Sequence, residues 1–170
     1  MAIGRILYVR GAAKAGALLR YSRSDTPGCP VETARTASPL APEKSIELTL
    51  PSHCKPILAD PFHFENVISN LLDNAIKYGG DQIRICLDQN GNSRIRIWDN
   101  AGKIESAQKE RVFDQFYRIP TGNLHDVKGF GLGLSYVNNI VKRLNGTIRV
   151  KSEKDVGSEF EISLPLKPVA

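Results

Sequence analysis

The sequence contains no apolar run approaching the roughly 18–20 residues that a membrane-crossing helix needs. It is also poor in cysteine. Cys29, Cys54 and Cys86 are odd in number, widely spaced and without a CxxC pair, which argues against a disulfide framework or a zinc site and fits a reducing compartment. Internal repeats are lacking. The opening stretch, residues 1–21, is basic, but Lys14 and its glycines interrupt any signal-peptide core. These absences point to a soluble, cytoplasmic chain with no membrane contact of its own.

At 170 residues there is enough chain for one domain with a sizeable core. The 41% hydrophobic and 24% charged residues are ordinary for a globular protein. The net charge of +5 is unevenly spread: residues 1–45 hold seven basic side chains against three acids, leaving +1 for the rest. A nucleic-acid binder usually carries its basic footprint on the folded domain, so no nucleic-acid partner is expected.

Residues 1–40 show little periodicity, and Ser24–Pro42 is rich in Ser, Thr, Pro and Ala, so a poorly packed arm is expected ahead of a domain over 41–170. Ile46, Leu48 and Leu50 alternate with polar neighbours as in a half-buried strand, and Lys55–Ala59 reads as a second short one. Asp60-Pro61 is a helix start, because an Asp caps free N–H groups and Pro lacks one. Phe64, Val67, Ile68, Leu71, Leu72, Ala75 and Ile76 follow at helical spacing until Gly79-Gly80. Gln82–Leu87 and Ser93–Trp98 read as a hairpin, Leu132–Leu144 as a second helix, and Thr147–Lys151 with Glu159–Leu164 as closing strands. Helices grouped with a hairpin-rich sheet imply an α+β two-layer sandwich.

Three groups of residues carry chemistry. Asn70 and Asn74, four apart on one helix face, present amide oxygens, which are hard neutral ligands suited to Mg²⁺. Lys77 adds a point charge for a phosphate, and Tyr78 follows it. Taken alone, such a pair more often faces solvent. Asp99 ends a strand beside Asn100, Ala101 and Gly102, where a carboxylate can accept a hydrogen bond from an adenine amino group; the same residues also make an ordinary turn. Gly129, Gly131 and Gly133, with Leu132 among them and Lys128 before them, stand where a long connection enters the second helix. Backbone N–H groups there favour phosphate oxygens, though a lone glycine triplet is equally a hinge.

The order of the three groups is far more specific than any one. ENVISNLLDNAIKYGG resembles the asparagine box of histidine kinases in the GHKL superfamily, DNAGKI their aspartate box, VFDQFYRI their phenylalanine box and KGFGLGLSYVNNIV their second glycine box. The likeness covers roughly residues 40–166 and extends faintly to LLRYSRSD, similar to the end of a dimerisation helix. It implies a Bergerat ATP-binding fold, a mixed and mostly antiparallel sheet with helices on one face, holding ATP under a lid over residues 101–128. Asn74 would ligate Mg²⁺ with Asn70 beside it, and Lys77 would meet a phosphate; these three would serve catalysis. Tyr78, Asp99, Ala101 and Gly102 would border the base, and Lys128, Gly129, Gly131, Leu132 and Gly133 the triphosphate. Phe113 and Phe116 would anchor the lid, and Arg118 is a lesser phosphate candidate. The implied activity is transfer of the γ-phosphate to a histidine on a separate dimerisation domain and onward to a response regulator, in a parent anchored in the inner membrane.

Asn70 separates this pattern from gyrase-like and MutL-like relatives, which place a glutamate there to activate water; an amide cannot accept that proton. No candidate phosphoacceptor is present, since His53, His63 and His125 lack the expected acid-and-proline context. The aspartate box departs from Asp-x-Gly-x-Gly: Ala101 takes the first glycine's place, partly offset by Gly102, and Lys103 takes the second's. Weak but measurable ATP binding is therefore expected. Two alternatives stay open: a degenerate nucleotide-binding or partner-docking module, and a serine-kinase anti-sigma factor, which the phenylalanine box disfavours.

Overall fold

The computed structural model describes residues 31–38, 41–51, 57, 59–120 and 130–166. In chain order these form strands β1 (Val31–Ser38) and β2 (Ala41–Pro51), helix α1 (Pro61–Tyr78), strands β3 (Gln82–Asp88) and β4 (Asn92–Asp99), two single 3₁₀ turns (Ser106–Gln108 and Arg111–Phe113), helix α2 (Gly133–Arg143), and strands β5 (Thr147–Glu153) and β6 (Gly157–Pro165). The strands make one sheet in the order β1-β2-β3-β4-β6-β5. Only β2 and β3 run parallel, as they must when a helix connects them; every other pairing is antiparallel.

Alternation fixes which face is covered. Ile83, Ile85 and Leu87 of β3, Ile95 and Ile97 of β4, and Phe160, Ile162 and Leu164 of β6 are buried, while Arg84, Arg94 and Glu161 between them are not. Both helices press apolar stripes onto that face: Val67, Leu71 and Ala75 from α1, Val137, Ile140 and Val141 from α2, all in one core. The uncovered face is polar, with Arg84 paired to Glu47 at 3.7 Å and stacked 4.4 Å over Trp98. This is the expected two-layer α+β sandwich, with both helices on one side of a mixed, mostly antiparallel sheet.

The start of α1 follows the sequence signal closely. Asp60 Oδ1 accepts the His63 N–H at 3.1 Å with Pro61 opening the helix. Two expectations need correction. Residues 31–38, assigned to the poorly packed arm, form β1 along the edge of β2; Val31, Thr33 and Thr36 favour extended backbone, and β2 offers an otherwise unpaired edge. Residues 1–30 lie outside the described residues. The short strand expected over 55–59 falls largely outside them as well, and Ile57 and Ala59 are not in a strand.

Candidate functional site

The second half of α1 carries Asn70, Asn74, Lys77 and Tyr78 alongside the start of α2, and the end of β4 brings in Asp99. Asn70 is turned by its own helix: Nδ2 donates to the Asn66 carbonyl at 2.7 Å, one turn back. Its Oδ1 then faces Gly133 so closely that a Cβ on that glycine would sit 2.7 Å away. Asn74 is half-buried, and its amide makes no hydrogen bond among the described residues. With no partner among the described residues, that amide is accessible to a ligand. Lys77 lies 3.9 Å from Asp73 with both side chains substantially exposed, a weak pair that leaves the ammonium available to a stronger anion. Tyr78 is exposed at the helix end.

Asp99 is 6% exposed and accepts the Ala101 N–H at 2.8 Å. Burial pushes its carboxyl above the usual range, against the N–H groups of Ala101 and Gly80 and the charges of Lys44 and Lys103, which pull it down. Gly79 passes so near that a Cβ would meet the Asp99 Cβ at 2.8 Å. Gly102 adopts φ 59°, and a side chain there would run into the Glu153 carbonyl, so glycine is required at this position of the box. The carboxylate is thus seated in a tight frame of backbone between α1 and β4.

The glycine segment is tied to the phenylalanine segment. Phe116 N–H donates to the Gly131 carbonyl at 3.0 Å, and Gly131, at φ 69°, would place a Cβ 2.8 Å from the Phe116 carbonyl carbon. Only glycine makes that approach without strain. Phe116, within the stretch expected as a lid, is thereby joined to the segment that opens α2. Residues 121–129, including Lys128 and Gly129, lie outside the described residues. Leu132 precedes α2 without a side-chain cap and is 43% exposed, so among the described residues the first N–H groups of the helix, at Gly133 and beyond, have no side-chain cap beside Asn70.

The two phenylalanines expected to anchor a lid differ. Phe113 packs edge-to-face on Phe160 at 6.4 Å and joins the core, whereas Phe116 points out at 69% exposure and is tied to Gly131 through its backbone N–H. Its φ of 65° turns the side chain away from the core. Arg118 is exposed just beyond it. His63 is exposed, bonded to the Tyr136 hydroxyl at 2.8 Å, and joins the two helices; His53 and His125 lie outside the described residues.

Three residues that sequence reasoning left out of the site surround Asp99 and the end of α1. Asn100 Oδ1 accepts the Gln82 N–H at 3.0 Å while its Nδ2 donates to Asp81 at 2.7 Å. Lys103, expected to intrude, instead reaches the Tyr78 carbonyl at the end of α1, 3.3 Å away. Lys44 donates to the carbonyls of Gly80 at 2.9 Å, Gly79 at 3.1 Å and Ala75 at 3.5 Å. Partners 31 to 36 residues apart leave no periodic trace in a sequence.

Residues 59–168, more than half of the chain, match the family described as histidine kinase-, DNA gyrase B- and HSP90-like ATPases. The chain is 50% identical over 115 residues to the sensor protein RprX of Bacteroides fragilis, covering 65% of this chain and 22% of that one. It is 37% identical over 124 residues to the sensor protein KdpD of Escherichia coli, covering 71% and 14%. This chain therefore spans about a fifth or less of these relatives. Among solved structures, a mycobacterial sensor histidine kinase, MprB, superposes with TM-score 0.64 at 25% identity over 76% of this chain and 86% of that one. The chain belongs to the histidine kinase-, DNA gyrase B- and HSP90-like ATPase family, as a domain of the sensor histidine kinase type.

Proposed function

We propose that this chain binds Mg-ATP between α1, α2 and the end of β4 and donates the γ-phosphate to a histidine on a separate dimerisation domain. The observation that carries the reading is the pairing of Asn70 with Gly133. It sets an amide, and no carboxylate, beside the N-terminal end of α2, which has no side-chain cap among the described residues and where a triphosphate would lie. A carboxylate there could take a proton from water; an amide cannot, so bound ATP would await an outside nucleophile.

The donor set fits Mg²⁺. Asn74 would hold it through an amide oxygen with no competing hydrogen bond, and Mg²⁺ retains waters and shares phosphate oxygens rather than demanding a full protein cage. When bound, the ion would neutralise charge on the phosphates. Lys77 would add a second positive charge there, with Arg118 and Lys128 as further phosphate partners. At the other end Asp99 would accept the adenine amino group, with Ala101, Gly102 and Tyr78 bordering the base. Gly129, Gly131 and Leu132 would lie along the phosphates. Transfer would form a bond between a histidine ring nitrogen and the γ-phosphorus, break its bond to the bridging oxygen, and release ADP. The phosphoryl group would then pass to a response regulator, with the parent protein anchored in a membrane. No helix among the described residues is long and apolar enough to cross one.

The test is incubation of the chain with γ-labelled ATP, Mg²⁺ and a histidine-bearing dimerisation domain from its parent. Label that is acid-labile and depends on the acceptor histidine is expected; steady ATP hydrolysis with no labelled histidine would overturn the reading.

A further inference from the structure

Lys44 comes from β2, far in sequence from every residue placed at the site. The parallel register of β2 with β3 sets Ser45 opposite Gln82, and Ser45 N–H donates to the Asp81 carbonyl at 2.7 Å. That register delivers Lys44 to the turn between α1 and β3. A helix leaves its last carbonyls without partners, and its C-terminal end carries partial negative charge. The Lys44 ammonium has three donors and meets the carbonyls of Gly79 and Gly80, just past the helix, and that of Ala75, which also accepts the Gly79 N–H at 3.0 Å. On its other side the same segment frames Asp99: Gly79 lies so close that a Cβ there would meet the Asp99 Cβ and Cγ, and the Gly80 N–H lowers the carboxyl's pKa. Gly79-Gly80 is thus clamped between a lysine and the aspartate expected to meet the base.

We propose that Lys44 is a positioning residue for the nucleotide base, fixing Gly79-Gly80 and through it the Asp99 carboxylate. The inference rests on the nucleotide reading above and deepens it by separating a base-end device from the phosphate-end residues. Burial lowers the Lys44 pKa and Lys103 adds to that, while Glu43, Asp99 and Asp81 offset it only in part. The charged groups acting on Asp99 itself are Lys44 from β2 and Lys103 from the loop after β4, both favouring its ionised form. Removing Lys44 therefore both frees the segment and leaves the carboxylate harder to ionise.

The experiment is equilibrium binding of AMP, Mg-ADP and a non-hydrolysable Mg-ATP analogue to the full chain, across pH, for wild type, Lys44→Met and Lys44→Gln, with thermal unfolding measured alongside. Lys44→Met is expected to lose about tenfold in affinity, the weight of a charge-assisted hydrogen-bond set, by the same factor for all three nucleotides. The acid side of its binding profile should move to higher pH than in wild type. Lys44→Gln keeps N–H donors without the charge and disturbs the fold least. It should recover part of the affinity yet show the same displacement of the acid limb. Wild-type affinity in both variants, a loss that grows with phosphate number, or an unmoved acid limb in Lys44→Gln would overturn the inference while leaving nucleotide binding intact. A wild-type chain that binds none of the three would overturn both.

Discussion

Asn70 Oδ1 stands directly over Gly133, at a spacing that leaves no room for a Cβ on the glycine. The contact joins the asparagine segment of α1 to the glycine segment opening α2, two stretches more than sixty residues apart. The Asn66 carbonyl holds the amide in that orientation, so the oxygen cannot swing away without losing a hydrogen bond at 2.7 Å. Gly133→Ala should therefore displace Asn70 and weaken Mg-nucleotide binding about tenfold, at a cost to the fold of about 1–3 kcal/mol that alanine's better helix propensity partly offsets. Calorimetric titration set beside urea unfolding separates the two effects. Unchanged affinity would show that the contact has no bearing on the ligand.

Asp99 should trade stability for binding. Its folded carboxyl titrates above the usual range because of burial, so it contributes stability that is complete below the unfolded carboxylate range, about pH 3.9, and lost as pH rises through the higher folded value. Asp99→Asn should raise the melting temperature of the nucleotide-free chain near pH 7, flatten its dependence on pH, and weaken adenine nucleotide binding. Melting curves from about pH 4 to pH 7 check the sign. A variant less stable than wild type at neutral pH would contradict it.

Gly131 is a test of the lid base. Gly131→Ala must hold an L residue at φ 69° against the Phe116 backbone, which costs roughly 1–2 kcal/mol before the clash is relieved. Denaturant unfolding should show at least that loss, and nucleotide affinity should fall with it. By contrast Leu71→Ala, in the core between α1 and the sheet, should cost about 2–5 kcal/mol.

Much of this was legible in local patterns. The Asp60-Pro61 start, the α1 stripe from Phe64 to Ile76 and the hairpin around Gly91 follow from spacing and turn chemistry, which act over a few residues, whereas Asn70, Asn74, Asp99 and Gly133 stand out as a site through the family resemblance. What escaped acts at long range. β1 forms because an edge of β2 is open to it, which the run Val31–Ser38 does not announce by itself. Phe116 reads as a buried aromatic until its positive φ turns it outward. Lys44 counts as one of several basic residues near the start of the chain until the β2–β3 register carries it to α1.

Lys103 is the case where packing changed the expectation most. As a bulky residue in place of glycine it predicts weakened binding, yet its ammonium is occupied at the Tyr78 carbonyl and its charge favours an ionised Asp99. Lys103→Gly should accordingly bind nucleotide no more tightly than wild type, by fluorescence or calorimetric titration. A several-fold gain would show that the lysine obstructs the base after all.

Asn74 and Asp99 are proposed as the two ends of one Mg-nucleotide site. Titration of a non-hydrolysable ATP analogue, with and without Mg²⁺, into wild type, Asn74→Ala and Asp99→Ala puts that arrangement to the test. Binding that is strengthened by Mg²⁺ in wild type, loses that strengthening in Asn74→Ala and is lost in Asp99→Ala is the predicted result. No binding by wild type at millimolar nucleotide, or binding indifferent to both substitutions, would contradict it.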